Sequence, residues 1–408
     1  MGVLEGFWVR NFKSLKQVGL GTCFPKFVYI DDETRVLPYH LNSITLLTGN
    51  NGTGKSSALD AFSFVSDCYR HGVDFACLKR GGYDTIYSHG SKGSLSFGFH
   101  YREKEELEAV TYALSIVCAK NKFPFIESEL LAYQRGKESL PIFFLQNGVR
   151  SIRYLAPDEQ LGNTELTKIE FTDYKNLGLA SLQSHPKFPV LASLRNLFEN
   201  WVLNNFTPVL TRKLDLSLSR HHESQRGMNL SGLVGYVLKR YGTEYEMFFQ
   251  RIASLLPDVE TILVDSTQVD RPLLAFKMLG IQQPIPITHL SEGIVRLFAY
   301  TILLEENDPA PLIILEEPEN GLDWSLRANL INQIHHVFDN SQNTQLVMTT
   351  HHHDFADSLH PSQVWVFEKN QEGFTVVERA SDALVLQEMM EGNQPIDSYW
   401  FSKRFGTR

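Results

Sequence analysis

The sequence predicts an α/β fold with a mixed central sheet, an antiparallel β subdomain and a helical insertion. Three stretches of chain carry that prediction. Residues 49–56 read Gly49-Asn50-Asn51-Gly52-Thr53-Gly54-Lys55-Ser56 and fit G-x-x-x-x-G-K-[ST] without a mismatch. Pro311 to Pro318 is an apolar run that ends in two carboxylates, Glu316 and Glu317. Gln345 to His351 is another apolar run, and it ends in histidine.

In chain order, Leu4 to Phe12 reads as a strand that closes on Arg10-Asn11-Phe12-Lys13-Ser14-Leu15. Phe27 to Ile30 reads as a second strand, and Asp31 to Thr34 as an acidic turn after it. Ser43 to Thr48 is β-branched and apolar, so a buried strand. Ser57 to Tyr69 carries Ala58, Leu59, Phe62, Phe64 and Val65, which suits a helix. Strand, glycine loop and helix form the arrangement in which loop amides and a helix N-terminus cradle phosphates. The segment therefore marks a P-loop nucleoside triphosphatase, with Asn50 to Ser57 around the phosphates. Lys55 would reach the β and γ phosphates, and the Ser56 hydroxyl would ligate Mg²⁺.

Arg80 to Gly93 reads as a loop. Three alternating runs follow at Ser94–Tyr101, Ala109–Val117 and Phe125–Tyr133, separated by charged or proline-containing turns, so an antiparallel meander is expected. Gln146–Leu155 would add a strand. From Ser181 to Leu256 the pattern turns helical, with Leu191–Phe198 and Leu233–Leu238 at helical spacing and a polar loop over Arg220–Met228. Strand-like runs resume at Thr261–Val264 and Leu273–Met278.

The Pro311–Pro318 strand has the form that holds a divalent cation beside a phosphate. Glu316 would hold Mg²⁺ through water, and Glu317 would polarise the attacking water as general base. Thr288 to Gly293 precedes a helix over Ile294–Leu304. Ser291 there is either a simple N-cap or, with the Gly293 amide, a phosphate contact at a helix N-terminus. The His351 imidazole could meet the γ-phosphate or the attacking water. His352 and His353 adjoin it, but consecutive residues at a strand end point in different directions, which disfavours a shared metal.

The bulk numbers narrow the class. The chain has 408 residues, 43% hydrophobic and 21% charged, as for a globular protein with a full core. Cys23, Cys68, Cys77 and Cys118 have no C-x-x-C spacing, so reduced thiols in the cytoplasm are expected. Neither a signal-peptide core nor an apolar run of about 18 to 20 residues is present, so no membrane span is expected. The net charge of -9 speaks against a broadly basic nucleic-acid surface but leaves room for a local basic groove.

In order along the chain, these pieces resemble an ABC-type ATPase of the RecF and SMC branch. Arg10 to Leu15 resembles the "NF+S" strand that opens such heads. Leu290-Ser291-Glu292-Gly293, followed by Arg296, resembles the LSGG signature, with Glu292 in place of its first glycine. Glu316-Glu317-Pro318-Glu319-Asn320-Gly321-Leu322-Asp323 resembles the "EEPENGLHP" block of OLD-like ATPases, with Asp323 where many relatives have His. Asn320 to Asp323 then fall at the D-loop, and His351 falls at the switch histidine. Gln146 and Gln160 are the candidates for the Q-loop. The resemblance implies an ABC ATPase head in two halves, 1–180 and 257–408, with the helical insertion over 181–256. It also implies two heads meeting face to face, ATP on the P-loop of one against Ser291 of the other, and hydrolysis loosening the sandwich.

OLD-like nucleases carry a Toprim nuclease after the ATPase. Roughly 55 residues follow His351, fewer than a domain of the usual size. The first expectation is therefore a stand-alone ATPase, like the subunits of Septu-type and PARIS-type antiphage defence, that controls a partner nuclease or toxin. The insertion would contact that partner or nucleic acid through Arg212, Lys213, Arg220, Arg226, Lys239 and Arg240, or those residues are a solvated face. The alternatives are a RecF-like repair ATPase that binds DNA directly and a nearly inactive ATP-binding scaffold.

Overall fold

A computed structural model describes residues 2–22, 40–104, 107–119, 123–135, 138–146, 149–153, 166–170, 174–181, 189–204, 230–265, 273–307, 309–339 and 344–382. The expected strand at Phe27–Ile30, the acidic turn after it and the Arg220–Met228 loop lie outside these residues. So do Cys23, Gln160, Arg212, Lys213, Arg220 and Arg226.

The chain opens with a hairpin, β1 (Val3–Phe12) and β2 (Leu15–Gly21). β3 (Ile44–Thr48) runs through the glycine loop into α1 (Lys55–His71), and α2 (Val73–Leu78) and α3 (Tyr83–Ile86) follow. Next come β4 (Leu95–Arg102), β5 (Val110–Cys118), β6 (Pro124–Arg135), β7 (Glu138–Gln146), β8 (Val149–Arg153) and β9 (Leu166–Glu170). The helices α4 (Gly178–Ser181) and α5 (Pro189–Asn200) lead to β10 (Val202–Asn204). The second half holds α6 (Leu230–Tyr241), α7 (Tyr245–Leu255), β11 (Val259–Asp265), β12 (Leu273–Met278), β13 (Ile285–Pro286) and α8 (Glu292–Leu304). It continues with β14 (Leu312–Glu316), α9 (Trp324–Phe338), β15 (Gln345–Thr349), α10 (His353–Asp357), β16 (Val364–Lys369) and β17 (Thr375–Arg379).

Among the described residues these strands form an eight-stranded sheet in the order β2-β1-β4-β5-β6-β7-β8-β9, a six-stranded sheet in the order β10-β14-β15-β3-β16-β17, and a three-stranded sheet β11-β12-β13. The first is antiparallel throughout. In the second, β10, β14, β15, β3 and β16 run parallel, and β17 closes the edge antiparallel. The expected mixed α/β class, with an antiparallel subdomain, is the observed one.

The six-stranded sheet is buried on both faces, which is why its strands read as continuous apolar runs rather than alternating ones. Successive side chains go to opposite sides. Leu47, Leu312, Ile314, Val347, Trp365 and Phe367 enter one core with α1, α5 and the antiparallel sheet. Leu46, Ile313, Leu315, Met348, Val364 and Val366 enter the other with α6 to α9. Phe62 of α1 anchors the first core. It stacks on Phe7 at 4.0 Å between ring centroids and meets Phe99 and Trp201 edge-on. Truncating such a ring costs about 3 to 5 kcal/mol.

The stretch expected as a helical insertion is mixed where it is described. α5, α6 and α7 are helical, but β10 pairs in parallel with β14, Leu203 beside Ile314. Phe198 and Trp201 lie in the core beneath α1. Three residues of strand are too short to show a period of two, so the pairing is invisible in the sequence.

Candidate functional site

The parallel order β14-β15-β3 brings three strand ends together. Glu316 lies level with Thr349, and Thr349 with Leu47, so the acidic strand, the histidine strand and the P-loop strand end on one edge. Open parallel sheets bind ligands at this carboxyl edge.

The glycine loop is built for close approach. Gly54 caps α1 with φ 111°, and a Cβ there would come within 2.3 Å of Thr375 Oγ1 and 2.8 Å of Ser14 Oγ. Both conditions demand glycine. The loop is seated from behind. Thr375 donates its hydroxyl to Thr53 O at 2.6 Å, and Ser14 lies 2.9 Å from Thr375, so Ser14 is left as donor to Thr375. Ser14 belongs to the Arg10–Leu15 run, which thus packs against the P-loop. Asn11 and Lys13 hold φ of 59° and 52° there, and the Asn11 amide donates to Lys92 O and Ser94 O.

Asn50, Asn51, Gly52 and Ser56 are exposed on the loop, Ser57 is half-buried, and Thr53 donates to Asn50 O. Lys55 is buried and folds back on the loop, donating Nζ to Gly49 O at 2.7 Å and Asn50 O at 3.0 Å. Burial pulls its pKa below the usual lysine range, against the opposing pull of the Glu317, Glu316 and Glu319 carboxylates. An ammonium ion facing three carboxylates beside a glycine loop with exposed residues is a seat for a polyanion together with a cation.

Glu317 follows the strand with φ 45°, a left-handed conformation rare outside glycine. Its amide is tied to Thr349 by both the carbonyl and the hydroxyl. Its carboxylate is gripped from two sides. His351 Nε2 lies 2.8 Å from Oε1, and Asn320 Nδ2 donates to Oε2 at 2.7 Å. Glu316 and Glu317 are both half-buried, and Ser56 is exposed at the start of α1. Hydroxyl and carboxylate oxygens are the donors a hard divalent cation takes, so Ser56 and Glu316 fit Mg²⁺ in chemistry.

The start of α8 faces the acidic loop of its own chain. Ser291 is exposed and caps the helix, accepting from Ile294 N at 3.4 Å. Gly293 is buried, and a Cβ there would meet Leu326 Cδ1 at 2.7 Å and Gly321 O at 2.9 Å. Arg296 pairs with Glu292 at 3.0 Å and donates to Asn320 O, so it bridges the helix start and the acidic loop. Asp323 is exposed and caps α9 through Leu326 N at 2.9 Å. The structure thus groups Asn50 to Ser57, Glu316, Glu317 and His351 at one edge. Ser291, Gly293 and Asp323 lie together at the helix starts joined by Arg296. Gln146 ends β7 in the antiparallel sheet.

Four residues at this edge have no role that the sequence assigned. Thr349 and Thr350 are buried at the end of the histidine strand, Thr375 comes from the far edge strand, and Glu319 is buried inside the acidic loop. For Glu319 a signal existed, a third carboxylate within four residues, but nothing in the pattern says that it is buried.

Comparison with known proteins bears on the fold that carries these residues. Residues 231–356, which include the helix start, the acidic strand and the histidine, match a family described as "AAA domain, putative AbiEii toxin, Type IV TA system". No curated protein matches the chain. Among solved structures, an Smc head bound to the C-terminal winged-helix domain of ScpA is similar with a TM-score of 0.54 at 14% identity, over 94% of this chain and 100% of that one. The Pyrococcus furiosus Smc head with an extended coiled coil, bound to the C-terminal domain of ScpA, is similar with a TM-score of 0.51 at 12% identity, over 96% and 100%. The chain shares the fold of these Smc head domains, and residues 231–356 within it match an AAA-domain family.

Proposed function

We propose that the protein binds and hydrolyses ATP, dimerises face to face around it, and uses that cycle to control a partner effector, a nuclease or toxin, in prokaryotic antiphage defence. The observation that carries the hydrolytic part is the grip on Glu317, with its carboxylate held by His351 on one oxygen and Asn320 on the other. A general base must be aimed before the transition state forms, and a carboxylate fixed at both oxygens is aimed.

The phosphates would displace Lys55 from Gly49 O and Asn50 O and take its ammonium in exchange. The glycine-loop amides and the N-terminus of α1 would hold them in line. Mg²⁺, held by Ser56 and by Glu316 through water, would supply charge neutralisation on the β and γ phosphates. Glu317 would take the proton of the attacking water, and His351 would fix Glu317 and face the γ-phosphate. The exposed Ser291, with Gly293 behind it and Asp323 nearby, would meet the phosphates of a second copy.

The partner effector rests on the resemblance of the acidic block to OLD-like ATPases; the family description, "AAA domain, putative AbiEii toxin, Type IV TA system", supports only a link to toxin systems. Dimerisation rests on the exposure of Ser291 and Asp323 at one pair of helix starts. The test is the solution mass of wild type and Glu317→Gln, with and without ATP and Mg²⁺. The expected result is an ATP-dependent doubling of mass that is long-lived in the variant. A mass indifferent to ATP in both proteins sinks the dimer switch.

A further inference from the structure

Glu319 is a buried carboxylate, 1% exposed, in the turn after the acidic strand. Only one of its oxygens is engaged among the described residues. Oε1 accepts from the Thr350 hydroxyl at 2.6 Å and from the His351 amide at 2.9 Å, and Oε2 has no hydrogen-bond partner there. A carboxylate is expensive to bury on these conditions, and a glutamine or threonine could accept the same two bonds. The charge is therefore not explained by the fold alone.

The two bonds of Oε1 hold the segment that carries the histidine. Thr350 is fully buried, and its amide is tied to Leu47 O of the P-loop strand. His351 follows immediately. Its main chain is held by Glu319 and its ring by Glu317, two residues earlier in the same turn. Two carboxylates of one turn thus grip one histidine at opposite ends. Pro318 between them is buried, and Leu322 N closes the turn on Glu319 O at 3.0 Å. Fixing the His351 amide fixes the direction in which its side chain leaves the strand end. That direction puts Nε2 on Glu317.

We propose that Glu319 is a positioning residue for hydrolysis. It locks the turn that carries Glu317 to the strand end that carries His351, so that base and histidine are set against each other beside the P-loop. The proposal rests on the hydrolytic reading of Glu317 above. Glu319 acts through His351 and touches no reacting atom. Its negative charge also bears on Lys55, which keeps the lysine and the switch histidine under one group.

The test uses the full chain and four variants: Glu319→Ala, Thr350→Val, His351→Ala, and Glu319→Ala with His351→Ala. Affinity for a fluorescent N-methylanthraniloyl-ATP with Mg²⁺ is measured beside single-turnover hydrolysis. Glu319→Ala should lose about 10- to 100-fold in rate with affinity changed less than about threefold, the split expected of misplacement rather than lost binding. In the His351→Ala background the same substitution should cost nothing more, because residues that act as a unit are not additive. Full turnover in Glu319→Ala, or losses that multiply, overturns the proposal. If Glu319→Ala does not fold, Thr350→Val, which removes one of the two bonds, carries the same comparison. If wild type does not hydrolyse ATP, the hydrolytic reading has failed and the role in hydrolysis falls with it; a crystal structure of Glu319→Ala then decides only whether Glu319 positions the His351 ring. A His351 ring that has left Glu317 supports it, and a ring still 2.8 Å from Glu317 ends it.

Discussion

His351 Nε2 stands 2.8 Å from Glu317 Oε1, although the two residues follow the ends of different strands and lie far apart in sequence. Parallel pairing of β14 with β15, in the register Glu316 beside Thr349, is what makes the meeting possible. The left-handed turn at Glu317 then rotates its carboxylate back over the neighbouring strand end. Strain of this kind, of order 1 to 3 kcal/mol, persists where the surroundings hold it, and here the Thr349 carbonyl and hydroxyl do.

Glu317→Gln keeps the shape of that contact and removes the base. Turnover should fall by about 10² to 10⁴, the usual worth of a general base, with ATP affinity retained. Steady-state hydrolysis beside nucleotide titration gives both numbers, and an undiminished rate would remove Glu317 from the role.

Lys55→Ala removes the buried ammonium that now bonds Gly49 O and Asn50 O. Nucleotide binding should fall below detection at micromolar protein, because the phosphates lose their closest cation. Calorimetric titration with ATP and Mg²⁺ measures it, and wild-type affinity in the variant contradicts the P-loop role.

The parts of this site that could be read in advance are those whose chemistry fixes both residue type and spacing. Glycines with Lys55 and Ser56, an apolar run into Glu316 and Glu317, and an apolar run into His351 are such parts. The parts that could not are made by packing. β2 has too few apolar positions to stand out. β7 contains Pro141, a residue type that a strand interior disfavours, yet the pairing with β6 is irregular there, between Leu131 and Ala132, and a bulge is where a sheet tolerates proline. Glu319 looks like one more surface acid until the turn buries it. Thr375 reaches the P-loop from the opposite end of the sequence, a contact no local pattern encodes.

Ser291→Arg should leave the fold and ATP binding intact, since Ser291 is exposed and its cap on Ile294 N is long at 3.4 Å. Losing such a cap typically costs about 1 kcal/mol. The ATP-dependent rise in mass should vanish. Light scattering that still shows an ATP-dependent dimer refutes the placement of Ser291 at the interface.

Gly293→Val tests the packing of α8 on the acidic loop. Its Cβ would sit 2.9 Å from Gly321 O and 2.7 Å from Leu326 Cδ1, and the carbonyl belongs to a turn already bridged by Arg296. Overpacking of this kind costs about 1 to 3 kcal/mol. Chemical denaturation should show that loss, and a variant as stable as wild type would mean the loop gives way freely.

Glu5 supplies a prediction about acid. Burial raises its pKa, but hydrogen bonds from His100 and Arg102 and the charges of His40 and Arg102 outweigh burial and bring the carboxyl from its usual 4.5 down to about 2. Arg102 Nε lies 2.5 Å from Oε1, and His100 Nε2 lies 3.3 Å from Oε2. A carboxyl depressed in the folded state stabilises it above the unfolded pKa and loses that contribution as pH falls through the folded one. The contribution, about 3 kcal/mol by linkage, is thus complete above pH 4.5 and drains between about 4.5 and 2. Glu5→Gln should be less stable than wild type at pH 7, and the gap between the two should narrow steadily as pH is lowered through that window. Denaturant melts of both proteins at pH 7, 5, 4 and 3 measure it. A gap that stays constant with pH would show that Glu5 contributes by packing and hydrogen bonding alone, without its charge.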